Sequence, residues 1–340
     1  MNVRRRDRTG LLAAATVVTT LVAGLVAGSP GAGTATATAE GGECPQVRPK
    51  VELLEGRITP NACAFMRRQI AFGEAPALDT YLDIFDADAS LWEAGSPAQR
   101  GHAAIGASIT RSLALVPDLR YRGTEVVTDG TAMFFGQHNE VTIKGRKVAY
   151  PQIARNVLGD DGKTIQARRY YDRYELFEPL APELRPRPLF DGVADSGRPY
   201  AGPAAGRFRA RDVPSRLAAW NDGDVAALLG RAAGRARLTG PGLDAPLTTR
   251  AGQSAYLERF FAKADVRFAP GQAVFGRTTA YVEWHGTATV LRTAEDPDGT
   301  DVPFGIVERF GPDGEWELSF DTLPLIATPA EITALFKAIG

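Results

Sequence analysis

The nonapeptide Tyr-Val-Glu-Trp-His-Gly-Thr-Ala-Thr at residues 281–289 has a counterpart, Met-Phe-Phe-Gly-Gln-His-Asn-Glu-Val, at residues 133–141. Aligning Thr131-Ala132 with Thr279-Ala280 sets an offset of 148 (279 − 131), and flanking landmarks fall into step around it. Arg120-Tyr121 meets Arg267-Phe268 (267 − 120 = 147), Asp161-Gly162 meets Asp313-Gly314 (313 − 161 = 152), and Tyr171-Asp172 meets Phe320-Asp321 (320 − 171 = 149). A plan of about 150 residues is used twice, which predicts two domains of ordinary size in a chain of 340 residues.

Within the first copy, apolar residues at helical spacing predict helices over 61–72, 76–85 and 102–115, with a short strand at 89–93. From residue 119 the period changes to two, predicting strands over 119–127, 131–143, 147–158 and 164–177, turned by Asp129-Gly130, Gly145 and Asp161-Gly162. The second copy repeats the order, with helices over 213–221, 224–229 and 250–263, strands over 235–239, 266–274, 278–292, 302–310 and 316–323, and a terminal helix over 325–339. The predicted fold class is α+β: two tandem cone-shaped domains, each about three helices packed on a curved antiparallel sheet whose open mouth is a natural pocket. The expected organisation is a signal peptide at 1–39, a loose tail at 40–60, the first domain at 61–178, a Pro- and Gly-rich linker at 179–212 and the second domain at 213–340.

Lys+Arg 39 against Asp+Glu 40 leaves a net charge of −1. No overall field draws the chain to nucleic acid or anionic lipid, so neither is an expected partner. Arg4, Arg5, Arg6 and Arg8 precede an apolar run at 11–28 and a small-residue stretch ending in Ala37-Thr38-Ala39, the order of a secretory signal peptide. Export and cleavage are expected to deliver a secreted or cell-envelope protein with no membrane attachment; an uncleaved anchor is the competing reading of the apolar run. Cys44 and Cys63 are the two cysteines, both beyond the cleavage site, and are expected to join tail to first helix as a disulfide. Their spacing, without histidine nearby, matches no metal site, and the chain shows no glycine-rich phosphate loop; neither metal nor cofactor is expected.

Several motifs carry a resemblance. Asp88-Ala89-Ser90-Leu91-Trp92-Glu93, Gly101-His102-Ala103-Ala104-Ile105, Pro117-Asp118-Leu119-Arg120, Gly162-Lys163-Thr164-Ile165 and Arg169-Tyr170-Tyr171-Asp172 follow one another in an order that resembles the nuclear-transport-factor-2-like superfamily, in its SnoaL-like, polyketide-cyclase-type branch. Trp220-Asn221-Asp222-Gly223-Asp224, Val266-Arg267-Phe268 and Gly314-Glu315-Trp316 extend the likeness more weakly into the second copy. The resemblance implies a cone with a carboxylate base inside it, and Glu93 stands at the matching strand end. Strand alternation sets Trp92 and Glu93 on opposite faces, so only one of them enters the cone.

On the middle strand, His138 falls on one face, and Gln137 and Asn139 on the other. The candidates are therefore Glu93 and His138 for catalysis, and Trp92, Gln137, Asn139, Trp284 and His285 for ligand contact. Isomerase features are missing: no tyrosine lies on the first helix, and Ala154 stands where a second carboxyl belongs, which disfavours that reaction. The expected function is binding of a small, largely apolar molecule. The alternatives are a cyclase- or isomerase-type enzyme with Glu93 as general base, and a non-catalytic envelope module. Asp172 and Asp321 recur in both copies and are expected to pair structurally with Arg168 or Arg169. The resemblance also implies that the sheet faces pack, as an internal pseudo-dimer or as a homodimer.

Overall fold

Thr59 starts the first helix by accepting a hydrogen bond from the Ala62 amide at 3.1 Å, and Pro60 follows at the position where a missing N–H costs nothing. Helix α1 (Pro60–Glu74) therefore begins one residue before the expected 61. A computed structural model describes residues 44–95, 97–177, 188–197, 207–232, 236–291 and 299–339; the expected signal peptide lies outside them.

The first sheet holds β1 (Leu53–Gly56), β2 (Phe85–Glu93), β3 (Gln99–Arg100), β4 (Arg120–Thr128), β5 (Ala132–Ile143), β6 (Arg146–Leu158) and β7 (Thr164–Tyr170) in the order β1-β4-β5-β6-β7-β2-β3. With α1 come α2 (Leu78–Leu82), α3 (Gly101–Leu115) and a short α4 (Arg173–Phe177). Ala62, Phe65, Met66 and Phe72 of α1 and Ile105 and Ile109 of α3 bury one face in the core with Met133, Phe135, Ala154 and Ala167 of the sheet.

The second cone contains α5 (Val213–Asn221), α6 (Val225–Ala232) and α7 (Arg250–Phe261) against β8 (Arg237–Thr239), β9 (Ala264–Phe275), β10 (Ala280–Val290), β11 (Thr300–Phe310) and β12 (Glu315–Ser319), in the order β8-β12-β11-β10-β9. Helices α8 (Leu323–Ile326) and α9 (Pro329–Ile339) end the described chain. The α+β plan of two cones is thus the observed fold.

Four local expectations change. Residues 53–56 of the supposed tail form β1, pairing parallel with β4, and Val47 and Val51 are buried beneath it; the Cys44–Cys63 disulfide, with Cα atoms 5.8 Å apart, ties this segment to α1. β7 stops at Tyr170 rather than 177, because the Asp172 carboxylate accepts from the Tyr174 amide at 3.0 Å and turns the chain into α4. The terminal helix breaks before Pro329, since a residue preceding proline disfavours helical backbone. Described parts of the linker enter the second core: Phe190 stacks on Tyr256 with ring centroids 3.8 Å apart, and Phe208 on Phe310 at 4.2 Å.

The outer faces of the two sheets meet. Trp92, Val127, Ala132, Phe134, Ile153 and Tyr170 of the first form one buried cluster with Val274, Tyr281 and Val307 of the second, and the rings of Phe134 and Tyr281 stack at 4.8 Å. Glu283, fully buried, receives Arg155 Nε at 2.8 Å, the Tyr170 hydroxyl at 2.7 Å and the Gln272 amide at 3.0 Å, with Arg168 at 3.2 Å. Contacts are also exchanged reciprocally. Asp172 accepts from Thr322 Oγ1 at 2.9 Å, while Asp321 accepts from Arg173 Nε at 2.7 Å. The two positions are related by 149 residues (321 − 172 and 322 − 173), as in an isologous contact. The expected structural role of these aspartates stands, but their partners lie across the domain contact rather than at Arg168 or Arg169.

Register corrects the repeat alignment. In β5 the core-facing residues are Met133 and Phe135, whereas in β10 they are Ala280, Val282 and Trp284. An even offset of 148 would exchange the faces, because side chains alternate with period two. The pair Thr128 with Met133 matches Phe275 with Ala280, giving 147 (280 − 133). The shared Thr-Ala dipeptide lies at the turn and does not set the strands' phase.

Candidate functional site

The β5–β6 hairpin fixes the site's geometry. Its two-residue turn uses Lys144 and Gly145, with φ of 49° and 76°, the left-handed pair whose twist matches that of the strands. From Ile143 opposite Arg146, the ladder then sets Asn139 opposite Tyr150 and Gln137 opposite Gln152, all four turned into the cone. Glu93 ends β2 beside Arg169 of β7, where parallel pairing makes them neighbours. Together with Gln69, Phe72, Tyr81, Tyr121 and Tyr171, they line a chamber of about 110 Å3.

Arg169 Nη1 donates to Glu93 Oε1 at 2.9 Å, and its guanidinium lies 5.1 Å from the centre of the Tyr81 ring. Burial by itself disfavours the charged guanidinium, but Tyr81 and Glu93 outweigh it and hold Arg169 more firmly protonated than usual. Burial raises the phenols of Tyr81, Tyr121 and Tyr171, and pushes Tyr150 up to about 12, so near neutral pH these hydroxyls stay protonated. Gln152 Nε2 donates to Gln137 Oε1 at 2.7 Å, and the Tyr121 hydroxyl donates to Gln69 Oε1 at 2.8 Å. Asn139, 4% exposed, presents a side-chain Nδ2 with no hydrogen-bond partner. Beside the chamber, Leu335 of α9 packs in one cluster with Val141, Ile143 and Val148, joined by Val116, Leu119 and Tyr150 of the chamber wall.

The second cone is built to the same register and filled. Trp284 pairs with Ile306 as Gln137 pairs with Gln152, and Glu308 with Leu318 as Ala154 with Arg169. On this correspondence the polar wall of Gln137, Tyr150, Gln152, Arg169 and Tyr171 becomes Trp284, Phe304, Ile306, Leu318 and Phe320, all buried in the second core. Glu308, where the first cone has Ala154, is itself fully buried. It accepts from Arg216 Nη2 at 2.6 Å and Nε at 3.0 Å, Trp284 Nε1 at 2.8 Å and Trp316 Nε1 at 3.0 Å.

The candidate residues therefore separate. Glu93, Gln137 and Asn139 come together in the chamber. His138 sits on the opposite face of β5, opposite Pro151 and outside the chamber, because alternation carries it away from its neighbours. Trp92 turns outward into the contact between sheets, its ring 5.1 Å from that of His285. His285 is lowered to about 4, by burial first and then by the Arg168 charge, and stays neutral above that. Trp284 fills the second cone. The sequence reading passed over Arg169, Tyr81, Tyr121, Tyr150, Gln152 and Tyr171, and these make the wall polar rather than largely apolar. Among the described residues, no group of three or more His, Cys, Asp or Glu could hold a metal ion.

Residues 215–319, within the second cone, match the SnoaL-like domain family. No curated protein matches the chain. Similar solved structures include TerC co-crystallized with polyporic acid, at 18% identity over 35% of this chain and 97% of that one, with a TM-score of 0.32. An LEH-like epoxide hydrolase from M. tuberculosis is 21% identical over 35% of this chain and 91% of that one, with a TM-score of 0.31. A SnoaL-like protein from Burkholderia thailandensis E264 is 21% identical over 34% of this chain and 98% of that one, with a TM-score of 0.29.

Proposed function

We propose that the protein is an exported small-molecule binder whose first cone holds a small polar ligand and whose second cone is a filled scaffold. The observation that carries this reading is the substitution of one wall for the other: five polar positions around the first chamber against five apolar ones in the second. In the second cone the five matching positions are apolar, and the buried Glu308 is fully engaged by Arg216 and two indoles, as a cone that serves only as structure requires. An ion pair, two glutamines and four tyrosines around one chamber suit a polar occupant, and the unpartnered Asn139 Nδ2 calls for one. The polar lining replaces the apolar ligand expected from the sequence. Export is supported by the Cys44–Cys63 disulfide, a bond that persists in oxidising compartments. Among the described residues, no helix is long and apolar enough to cross a membrane.

Native mass spectrometry of the protein recovered from culture tests the reading. The wild type is expected to carry a small bound mass that Gln137→Trp, which copies the second cone's filling, excludes. A mass retained by Gln137→Trp but lost in Trp284→Ala would place the ligand elsewhere and overturn the proposal.

A second reading, Glu93 as general base, is favoured by one observation: Glu93 rather than Trp92 faces the chamber. It predicts that Glu93→Gln traps a bound species that the wild type converts and releases. Identical bound species in both proteins would rule it out.

The same sheet faces that could join two copies are already occupied within one chain, so the protein is expected to be monomeric. Light scattering after gel filtration checks this, and a dimer would contradict it.

A further inference from the structure

The chamber's charge, size and hydrogen-bonding capacity together narrow what it can take. Its formal charges are Glu93 and Arg169, already paired at 2.9 Å. An anionic or cationic ligand would enter with no free counter-charge and would surrender its hydration without compensation. At about 110 Å3 the chamber suits a compact solute of a few non-hydrogen atoms rather than an extended one. The four tyrosines remain protonated and Gln137 is engaged with Gln152, while Asn139 Nδ2 is a donor without a partner inside the cone. Buried donors of this kind are rare in folded proteins unless a partner completes them.

Resting on the binding reading above, we infer that the chamber is selective for a small uncharged hydrogen-bond acceptor, a compact amide, ketone or alcohol, whose oxygen accepts from Asn139 Nδ2 between the tyrosine walls. The Glu93–Arg169 pair then acts as a neutral dipole bordering the ligand and does not bind a charge. Asn139 is a specificity-determining residue on this account. Its Nδ2 makes no hydrogen bond within the fold, so Asn139→Leu removes a ligand contact and leaves folding intact.

Ligand-observed NMR with three probes of nearly equal size tests the inference: propionamide, propionate and n-propylammonium. Propionamide is expected to bind, and the two ions to bind at least about tenfold more weakly or not at all. Asn139→Leu should weaken propionamide by about tenfold, the usual effect of losing one buried hydrogen bond, with a melting temperature equal to or above that of the wild type. Tighter binding of propionate or propylammonium overturns the neutral class but leaves the chamber as a binding site. Equal propionamide affinity in Asn139→Leu overturns the role of Asn139. If none of the three binds, the inference fails, whereas the binding reading is still decided by the co-purified mass, which depends on no chosen probe.

Discussion

One substitution, glutamate to glutamine, should have different consequences in the two cones. Glu308 is fully buried and accepts from Nε and Nη2 of Arg216 and from two indoles, at 2.6 to 3.0 Å. In Glu308→Gln the charge is lost, and one carboxylate oxygen becomes an NH2 that faces N–H donors it cannot accept from. Removing one partner of a buried ion pair while the other stays buried costs about 3–5 kcal/mol. Glu93 meets Arg169 alone among the chamber's charges, and both side chains retain some solvent contact, 20% and 15% exposed. Glu93→Gln keeps an acceptor for Arg169 and gives up one charge-assisted bond, about 1–2 kcal/mol. At about 2–4 °C per kcal/mol for a protein of this size, Glu308→Gln should lower the melting temperature by at least about 6 °C, and Glu93→Gln by roughly half of that or less. Thermal unfolding followed by circular dichroism, with urea titration for the free energies, reads both. Equal losses would mean that the two carboxylates play the same structural part, and the division into scaffold and site would fall.

Other expectations follow from the same contacts. His285 has its folded value lowered to about 4 from about 6.5, so the unfolded chain binds the extra proton between those values; its contribution is complete above pH 6.5 and is lost as pH falls toward 4. Urea midpoints measured from pH 7 to pH 4 should fall less steeply in His285→Asn than in the wild type. Reducing the Cys44–Cys63 link, which closes a loop across a separation of 19 residues, should cost about 3 kcal/mol, read as a lower melting temperature with phosphine reductant and reproduced by Cys44→Ser with Cys63→Ser. Glu283→Leu strands the buried Arg155 and Tyr170 at the contact between sheets and should cost about 3–5 kcal/mol by the same denaturation assay.

The fold was largely legible because each copy announces its helices by spacing and its strands by alternation, and because Gly130, Gly145 and Gly162 mark turns that need left-handed backbone. Part of the candidate site was legible too. Glu93 could be named from its strand end, and Gln137 and Asn139 from their shared face. Gln152 and Tyr150 were within reach: a two-residue turn at Lys144-Gly145 pairs residues whose numbers sum to 289, which sets them opposite Gln137 and Asn139. Arg169 and Tyr171 share a face by simple alternation. Tyr81 and Tyr121 are different, because they come together only by packing on Phe72 of α1, and no local pattern encodes that meeting. Nor does local pattern encode the phase of the repeat: a Thr-Ala dipeptide at a turn suggested an even offset, while cross-strand pairing requires an odd one. That single residue decides whether Trp284 is read as a chamber wall or as the plug of the second cone.

The most direct measurement is a high-resolution crystal structure of the protein purified from culture, comparing difference density inside the two cones. The account predicts a discrete molecule in the first chamber within hydrogen-bond distance of Asn139 Nδ2, and none among Trp284, Phe304 and Phe320. A first cone closed by its own tyrosines with no enclosed density, or a bound molecule displacing the second cone's filling instead, would contradict it.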